Sequence, residues 1–486
     1  MAFLTKSLKM EVTLYLTVYF NFSLSLEVSR VPSAWKLAAV APIHKSGSRL
    51  DINNYRPISV TSCCSRIMER ILNRKIIHYL YRHNKLLSTQ HGFCTGRSTD
   101  TILLNFYDYI TDNLDRNNLV DCVYFDFRKA FDTVPHNILL NRLYDTGIRG
   151  SLLDWISDFL SDRMQRVRIG GSLSSRASVP SGVIQGSVLG PTLFNIFIND
   201  IDNVLQYCRI LKYADDIRIY LSSNKSISDT SALQHKIQKD IDNLVQWSVD
   251  SGMSFNISKC FSVSFGHSNF HRSYTICNTT IPRKDSFSDL GVVVTLPYSF
   301  KSHVDMIVSR AFSKLGIINK IFKTRSKKAI LQLYKAFVRP SVDYASIIWS
   351  PYTESSIYNI ERIQRRLCRL IPGLGNMAYR DQLDSLGLMS LRARRLRFQL
   401  ITLFKLYKGY LNLDFYSFFD VRDSRTTRGH SCHITPKFSK RNYRLHFFTV
   451  STISFWNQLT QEDIDVNSVT SFKMRLELFF TAHDIW

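Results

Sequence analysis

Apolar positions along the chain fall into two periods, and the change from one to the other marks its elements. Leu119 to Phe127 is almost unbroken in β-branched and aromatic residues around Val120, Val123, Tyr124 and Phe125, the pattern of a strand buried on both faces, and it ends at Asp126. Ile210 to Tyr213 and Ile217 to Leu221 are two more short apolar runs, separated only by Ala214-Asp215-Asp216, a spacing that demands a tight hairpin. From Ile67 to Leu80 the period is helical: Ile67, Met68, Ile71 and Leu72 recur together, with Arg66, Arg70 and Arg74 on another side. Val304, Ile307, Val308, Ala311, Leu315, Ile318 and Phe322 predict a long helix, with Arg310, Lys314 and Lys320 off its apolar stripe. Ile360, Ile363, Leu367 and Leu370 form a further stripe, while Arg362, Arg365, Arg366 and Arg369 share a face that suits phosphates or plain solvent equally well. Val12 to Leu26 is apolar but broken by Thr13, Thr17, Asn21, Ser23 and Ser25, so a buried helix is expected rather than a membrane span; Lys6 and Lys9 leave a signal peptide as the weaker reading.

Composition adds a partner class. The 486 residues, 45% hydrophobic, suffice for more than one domain, with no repeat and no long Gly/Ser/Pro linker. Lys and Arg number 63 against 39 Asp and Glu, and the formal charge of +24 favours a polyanion, nucleic acid first. Residues 300 to 486 hold 30 of those cations and only 14 acids, so the basic surface is concentrated there. Nine cysteines without a C-x-x-C pair signal neither a disulfide framework nor a zinc site, and fit a reducing compartment, nucleus or cytoplasm. His430, Cys432 and His433 lack a second ligand pair at zinc spacing and are read as structural.

The acids carry the chemistry. Asp215 and Asp216 stand side by side in a turn between apolar strands, where like charges repel and a purely structural turn gains nothing from them. A divalent cation removes the objection, because carboxylate oxygens are the ligands Mg²⁺ prefers. Asp126, ending its own apolar run, is the candidate third acid, and two ions roughly 3.5–4 Å apart at such a site would serve phosphoryl transfer. Asp132, six residues on, is assigned to a cap or turn.

Taken together the segments resemble a known family. Tyr213-Ala214-Asp215-Asp216 resembles the Y/F-x-D-D box of reverse transcriptases, Asp126 to Asp132 their first aspartate motif, and Ser181 to Pro191 their G-V-P-Q-G-S-x-L-G-P segment. Trp35-Lys36, Ile43 to Gly47, Asn54 to Ser59, and Gln90 to Phe93 with Gly96 to Ser98 resemble fingers motifs of the non-LTR (LINE-type) branch; Leu290-Gly291 resembles its primer grip. Tyr334 to Pro340, Arg428 to His430 and Ser471 to Lys473 resemble the C-terminal part of jockey-like elements. The resemblance implies Asp126, Asp215 and Asp216 as the Mg²⁺ site, with Mn²⁺ as the substitute ion, and Lys259 as the general acid for pyrophosphate. It implies Lys45 and Arg56 as triphosphate clamps, Phe131 as a steric gate against a ribose 2′-hydroxyl, and Gln185-Gly186 as the nucleotide pocket. Arg310, Lys314, Arg362, Arg365, Arg366 and Arg369 are the candidate nucleic-acid contacts. Ile184 stands where the family usually has proline, which loosens the expected loop.

The expectation is therefore an α/β (α+β) right-hand polymerase. It has an N-terminal helical extension (1–30), fingers and an antiparallel palm (31–300), a helical thumb (301–371) and a basic helical C-terminal region (372–486). Its partners would be an RNA template, a DNA primer and dNTPs, with no membrane. No segment resembles the family's N-terminal endonuclease, so the nick would come from a separately encoded enzyme. The alternative is a decayed or domesticated copy that binds RNA without polymerising. A viral RNA polymerase is a third reading, against which Phe131 speaks.

Overall fold

The computed structural model describes residues 23–224, 227–266, 272–322, 326–422 and 430–485. Of the Val12–Leu26 run only residues 23–26 fall within these, and they are helical, with Ser25 buried; Arg428 and Gly429 lie outside. No helix among the described residues is long and apolar enough to cross a membrane.

Strand β1 (Leu37–His44) pairs antiparallel with β2 (Tyr55–Val60). Helices α1 (Cys63–Arg82) and α2 (Thr99–Asp115), strand β3 (Leu119–Phe125) and the short helix α3 (Ala130–Thr133) follow, then β4 (Met164–Ile169), which returns to β1 as a parallel neighbour. Next come α4 (Gly190–Phe197), the hairpin β5 (Arg209–Tyr213) and β6 (Asp216–Ser223), α5 (Ile227–Asp250), β7 (Phe261–Phe265) and a second hairpin, β8 (Ser286–Asp289) and β9 (Val292–Thr295). The elements beyond are helical, led by α6 (Lys301–Ile321), α7 (Glu354–Leu370), α8 (Leu391–Tyr407) and α9 (Val469–Ala482).

The central sheet has the order β5-β6-β3-β7 with every pairing antiparallel, as expected for the palm. Strand side chains alternate between two cores. Val123, Phe125, Ile217 and Ile219 pack with Met68, Leu72, Phe194, Phe197 and Ile237 on one face. Val120, Cys122, Tyr220 and Phe265 meet α2 on the other, in a core that continues without a break through α6, α7 and α8 to Phe480. Burial on both faces explains why β3 reads as a continuous apolar run. Each fully buried large apolar side chain contributes roughly 1.5–3 kcal/mol. With Trp456, Phe472, Leu476 and Phe480 in this core, packing rather than surface ion pairs folds the C-terminal region against the sheet. The border proposed at residues 371 and 372 runs through it, since Ile371 and Leu374 both belong to it.

Two helical readings need correction. In α1 the buried ridge is Met68, Leu72, Ile76 and Leu80, whereas Ile67 and Ile71 are exposed beside Arg66 and Arg70. The i, i+4 row decides the packing, and residues one position back lie about 100° round the helix. Helix α6 stops at Ile321, leaving Phe322 as its half-open cap. The α7 stripe Ile360, Ile363, Leu367 and Leu370 is buried as the period requires.

Candidate active site

Tyr213 pairs with Asp216 across the β5-β6 hairpin, so the loop is only Ala214-Asp215, one residue shorter than expected, and Asp216 begins a strand. Ala214 has φ of +56°, the left-handed conformation that two-residue hairpin turns demand and that a Cβ resists by about 1–2 kcal/mol. Gln90, buried in the segment that precedes α2, holds the turn in place. Its Oε1 accepts from Ala214 N at 2.9 Å and Gly92 N at 2.8 Å, and its Nε2 donates to Ala214 O at 3.2 Å. Gly92 lies so close that a Cβ there would sit 2.3 Å from Ala214 N. The Gln90-His91-Gly92 motif is thus a cradle for the acidic turn.

Asp126 follows β3, where Phe125 is opposite Ile217, so one more step of register brings it level with Asp216. Its carbonyl accepts from Asn256 N at 2.7 Å, fixing the strand end. Its Oδ2 is buried, makes no hydrogen bond, and meets Lys259 Nζ in an ion pair at 3.3 Å. Burial raises the Asp215 carboxyl, the Asp126 charge adds to that rise, and Arg56 and Lys259 oppose it. Burial likewise pushes Asp216 up to about 6, helped by Asp215 and Asp126 and opposed by Arg218. The three acids therefore feel one another, and Arg56 and Lys259 reach the same place. They do not form the expected closed ligand set: among the described residues no group of three or more His, Cys, Asp or Glu stands ready to hold a metal ion. Asp216 opens its strand and keeps part of its surface open to solvent, although the protein around it and the two neighbouring acids raise its carboxyl. Like charges have no reason to converge on empty space, and Mg²⁺ needs only one or two carboxylates when phosphate oxygens and waters complete its shell.

Phe131 is half-buried on α3 and stacks on Phe194 at 4.5 Å and 14°, with Phe93 edge-on at 6.4 Å. The Gln185 loop reaches over it, since Val183 N donates to Phe131 O at 2.7 Å, and Ser59 N of β2 donates to Gln185 O at 2.8 Å. Gly186 has φ of +108° and its missing Cβ would sit 2.6 Å from Ser59 O, so only glycine fits between loop and β2. Gln185 Oε1 is buried without a hydrogen bond. Ile184 is buried and its carbonyl accepts from Ser187 N at 3.1 Å, so side-chain packing and hydrogen bonds hold the loop where proline was expected to stiffen it. Lys45 follows β1, and its charge bears on Asp132, whose carboxyl burial raises while Lys129 and Lys45 pull it back. Asp132 sits in the turn of α3, its carbonyl accepting from Ser181 Oγ at 3.0 Å.

The basic candidates divide. Arg310, Arg366 and Arg369 are exposed, as is Arg362, which lies over the Phe312 ring at 5.6 Å. Lys314 is engaged instead, donating to Phe337 O at 2.9 Å and Ser341 Oγ at 3.4 Å, and Arg365 stacks on Tyr379 at 4.0 Å. Those two do not share the open face expected of them, because each finds a partner on a neighbouring segment that helical periodicity cannot register. His430 Nε2 bonds the Trp456 carbonyl at 3.0 Å, and Cys432 is buried.

Sequence reading missed three positioning groups. Gln90 was read only as part of a motif. Glu69, on the buried side of α1, accepts from Val188 N and Leu189 N; an acid on an apolar ridge was the available signal. Arg218 pairs with Asp289, whose Oδ2 also accepts from Tyr107 at 2.9 Å and Tyr124 at 3.1 Å, tying the Leu290-Gly291 turn to the strand that begins at Asp216.

A family model for reverse transcriptase (RNA-dependent DNA polymerase) matches residues 43–294. The chain is 27% identical over 376 residues to the probable RNA-directed DNA polymerase from transposon X-element of Drosophila melanogaster, covering 76% of this chain and 41% of that protein. It is likewise 27% identical over 377 residues to the RNA-directed DNA polymerase from mobile element jockey of Drosophila funebris, covering 75% and 40%. It thus spans about two fifths of the length of these relatives. Among solved structures, apo telomerase from Candida tropicalis aligns at a TM-score of 0.42 and 12% identity, covering 79% of this chain and 67% of that one. The matched segment spans more than half of the chain and contains β3, the acidic hairpin and the Gln185 loop, and on that ground the chain belongs to the reverse transcriptase family.

Proposed function

We propose that the chain is the RNA-directed DNA polymerase of a non-LTR retrotransposon, extending a DNA primer on an RNA template. The observation that carries this reading is the Asp126 Oδ2 atom, buried and without a hydrogen bond, beside two carboxyls that its charge helps to raise. That clustered negative charge, which the Lys259 ion pair offsets only in part, fits a divalent cation. Asp126 and Asp215 would hold it, with Asp216 as the accompanying acid, and Mg²⁺ is the ion we assign, with Mn²⁺ as substitute. One such ion would supply Lewis acidity to the primer hydroxyl, and a second would neutralise charge on the leaving group.

The chain's own residues do the rest. Arg56 and Lys45, on either side of the β1-β2 turn, hold the triphosphate. Phe131, backed by Phe194, closes the space beneath the sugar, so a 2′-hydroxyl is rejected sterically. Gln185 and Gly186 line the pocket. The primer 3′-oxygen, its proton passing to solvent water, bonds to the α-phosphorus as the bond to the bridging oxygen breaks, and pyrophosphate leaves. Lys259, once Asp126 is otherwise engaged, donates the proton that pyrophosphate takes up. Exposed Arg310, Arg362, Arg366 and Arg369 meet the duplex backbone.

Primer extension on poly(rA)/oligo(dT) with Mg²⁺ tests the reading. Wild-type protein incorporates dTMP, and Asp215→Asn falls to background while RNA binding persists. Tight RNA binding by wild type with no incorporation overturns the polymerase and leaves the decayed or domesticated copy. On the same assay Phe131→Val raises ribonucleotide use relative to deoxynucleotide by roughly tenfold or more, since an unfilled pocket cannot exclude one hydroxyl.

A further inference from the structure

Glu69 is fully buried, and its carboxylate is spent on backbone. Oε1 accepts from Ser65 Oγ at 3.0 Å, and Oε2 accepts from Val188 N at 2.7 Å and Leu189 N at 3.1 Å. The buried Arg163 guanidinium, whose charge bears on Glu69, donates instead to the carbonyls of Phe159 and Trp35. A buried acid without such donors would be strongly unfavourable. Here its bonding is directed at the residues that lead into α4, where negative charge at a helix N-terminus is favoured.

The same loop is fixed at its other end to the aspartate motif. Gly182 N donates to Val134 O at 2.8 Å and Val183 N to Phe131 O at 2.7 Å. Gly182, at φ of +90°, lies so near that a Cβ would come within 2.7 Å of the Asp132 backbone. Between these anchors stands Gln185, bridged to β2 through Ser59.

We propose that Glu69 is a positioning residue for nucleotide selection. By holding Val188 and Leu189 it sets the height of the Gln185 loop above α3, and through the Val183–Phe131 bond it sets where the Phe131 ring meets the sugar. The proposal rests on the polymerase reading above. Its reach is the deoxynucleoside triphosphate, whose pocket Phe131, Gln185 and Gly186 line in that reading.

Glu69→Gln keeps the volume but replaces the carboxylate by a neutral amide, so the bonds from Val188 N and Leu189 N lose their charge assistance. Single-nucleotide extension with dTTP and rUTP, on wild type and variant, is the test. The variant is expected to raise KM for dTTP about tenfold with kcat within about twofold, and to lower discrimination against rUTP, as the loss of nucleotide binding felt equally in ground and transition state does. Primer-template affinity stays at the wild-type value. A fall in kcat alone, with KM and dTTP/rUTP discrimination unchanged, marks Glu69 as merely structural and overturns the proposal, as does a variant equal to wild type. Should Glu69→Gln fail to fold, Ser65→Ala removes only the hydroxyl donated to Oε1, and the same two outcomes, with a smaller KM change, decide it. An inactive wild type sinks the polymerase reading instead, so the two failures are distinguishable.

Discussion

His91 lies beside the acidic turn and is buried, its Nδ1 at 2.8 Å from Thr101 Oγ1. Burial, reinforced by the Arg97 and Arg218 charges, lowers its pKa to about 3. The folded protein therefore keeps this ring neutral while the unfolded chain protonates it near 6.5. Below that pH the unfolded state binds the extra proton, so stability contributed by the neutral ring is lost as pH falls from about 6.5 toward 3. Urea midpoints measured between pH 7 and 5 should fall for wild type and fall less for His91→Gln. Equal slopes would mean that the ring is accessible to protons in the native state. Phe131 illustrates the complementary lesson at this scale: its sequence context named it, but the stack on Phe194 that makes it rigid came only with the fold.

At the scale of elements the acidic hairpin depends on a segment it does not belong to, the one that precedes α2. Ala214 adopts an unfavourable backbone conformation, and Gln90 compensates with three hydrogen bonds around Ala214 and Gly92. Gln90→Ala leaves two buried N–H groups without acceptors, at about 1–3 kcal/mol each. It should lower the denaturation midpoint and cut incorporation at least tenfold, with primer-template affinity unchanged; full activity would show that the turn holds itself. The hairpin was legible from two apolar runs and a short gap. Its true length of two residues was not, because whether Asp216 starts a strand is decided by pairing with Tyr213. The α1 helix was legible as well, but an apolar residue beside an arginine row reads the same whether or not a neighbour covers it, and Ile67 and Ile71 are uncovered.

At the scale of the whole molecule, the C-terminal region is fastened to α2, the helix that also covers the sheet. Arg444, nearly fully buried, pairs with Asp108 at 2.6 Å and donates to Thr111 and Thr449. The Asp115 carboxylate accepts from Lys440 N and Arg441 N. Removing one partner of such a pair leaves an uncompensated charge, worth about 3–5 kcal/mol. Arg444→Met should open residues 430–485 to limited proteolysis before the rest unfolds, and Asp108→Asn together with Arg444→Met should recover part of the loss. Uniform cleavage throughout the chain would show that the region does not act as a unit. A net charge of +24 pointed to a polyanion, yet which cations remain free is a tertiary matter, as Lys314 and Arg365 show.

Local order along the chain was enough to define three strands of the central sheet, three amphipathic helices, the acids and the family they resemble, because periodicity and short motifs are written in consecutive residues. Contacts between distant segments were not: Gln90 with Ala214, Glu69 with Val188, Arg218 with Asp289, Arg444 with Asp108. A buried polar side chain is chosen for the partner that folding brings to it, and nothing in its own neighbourhood in the sequence specifies that partner.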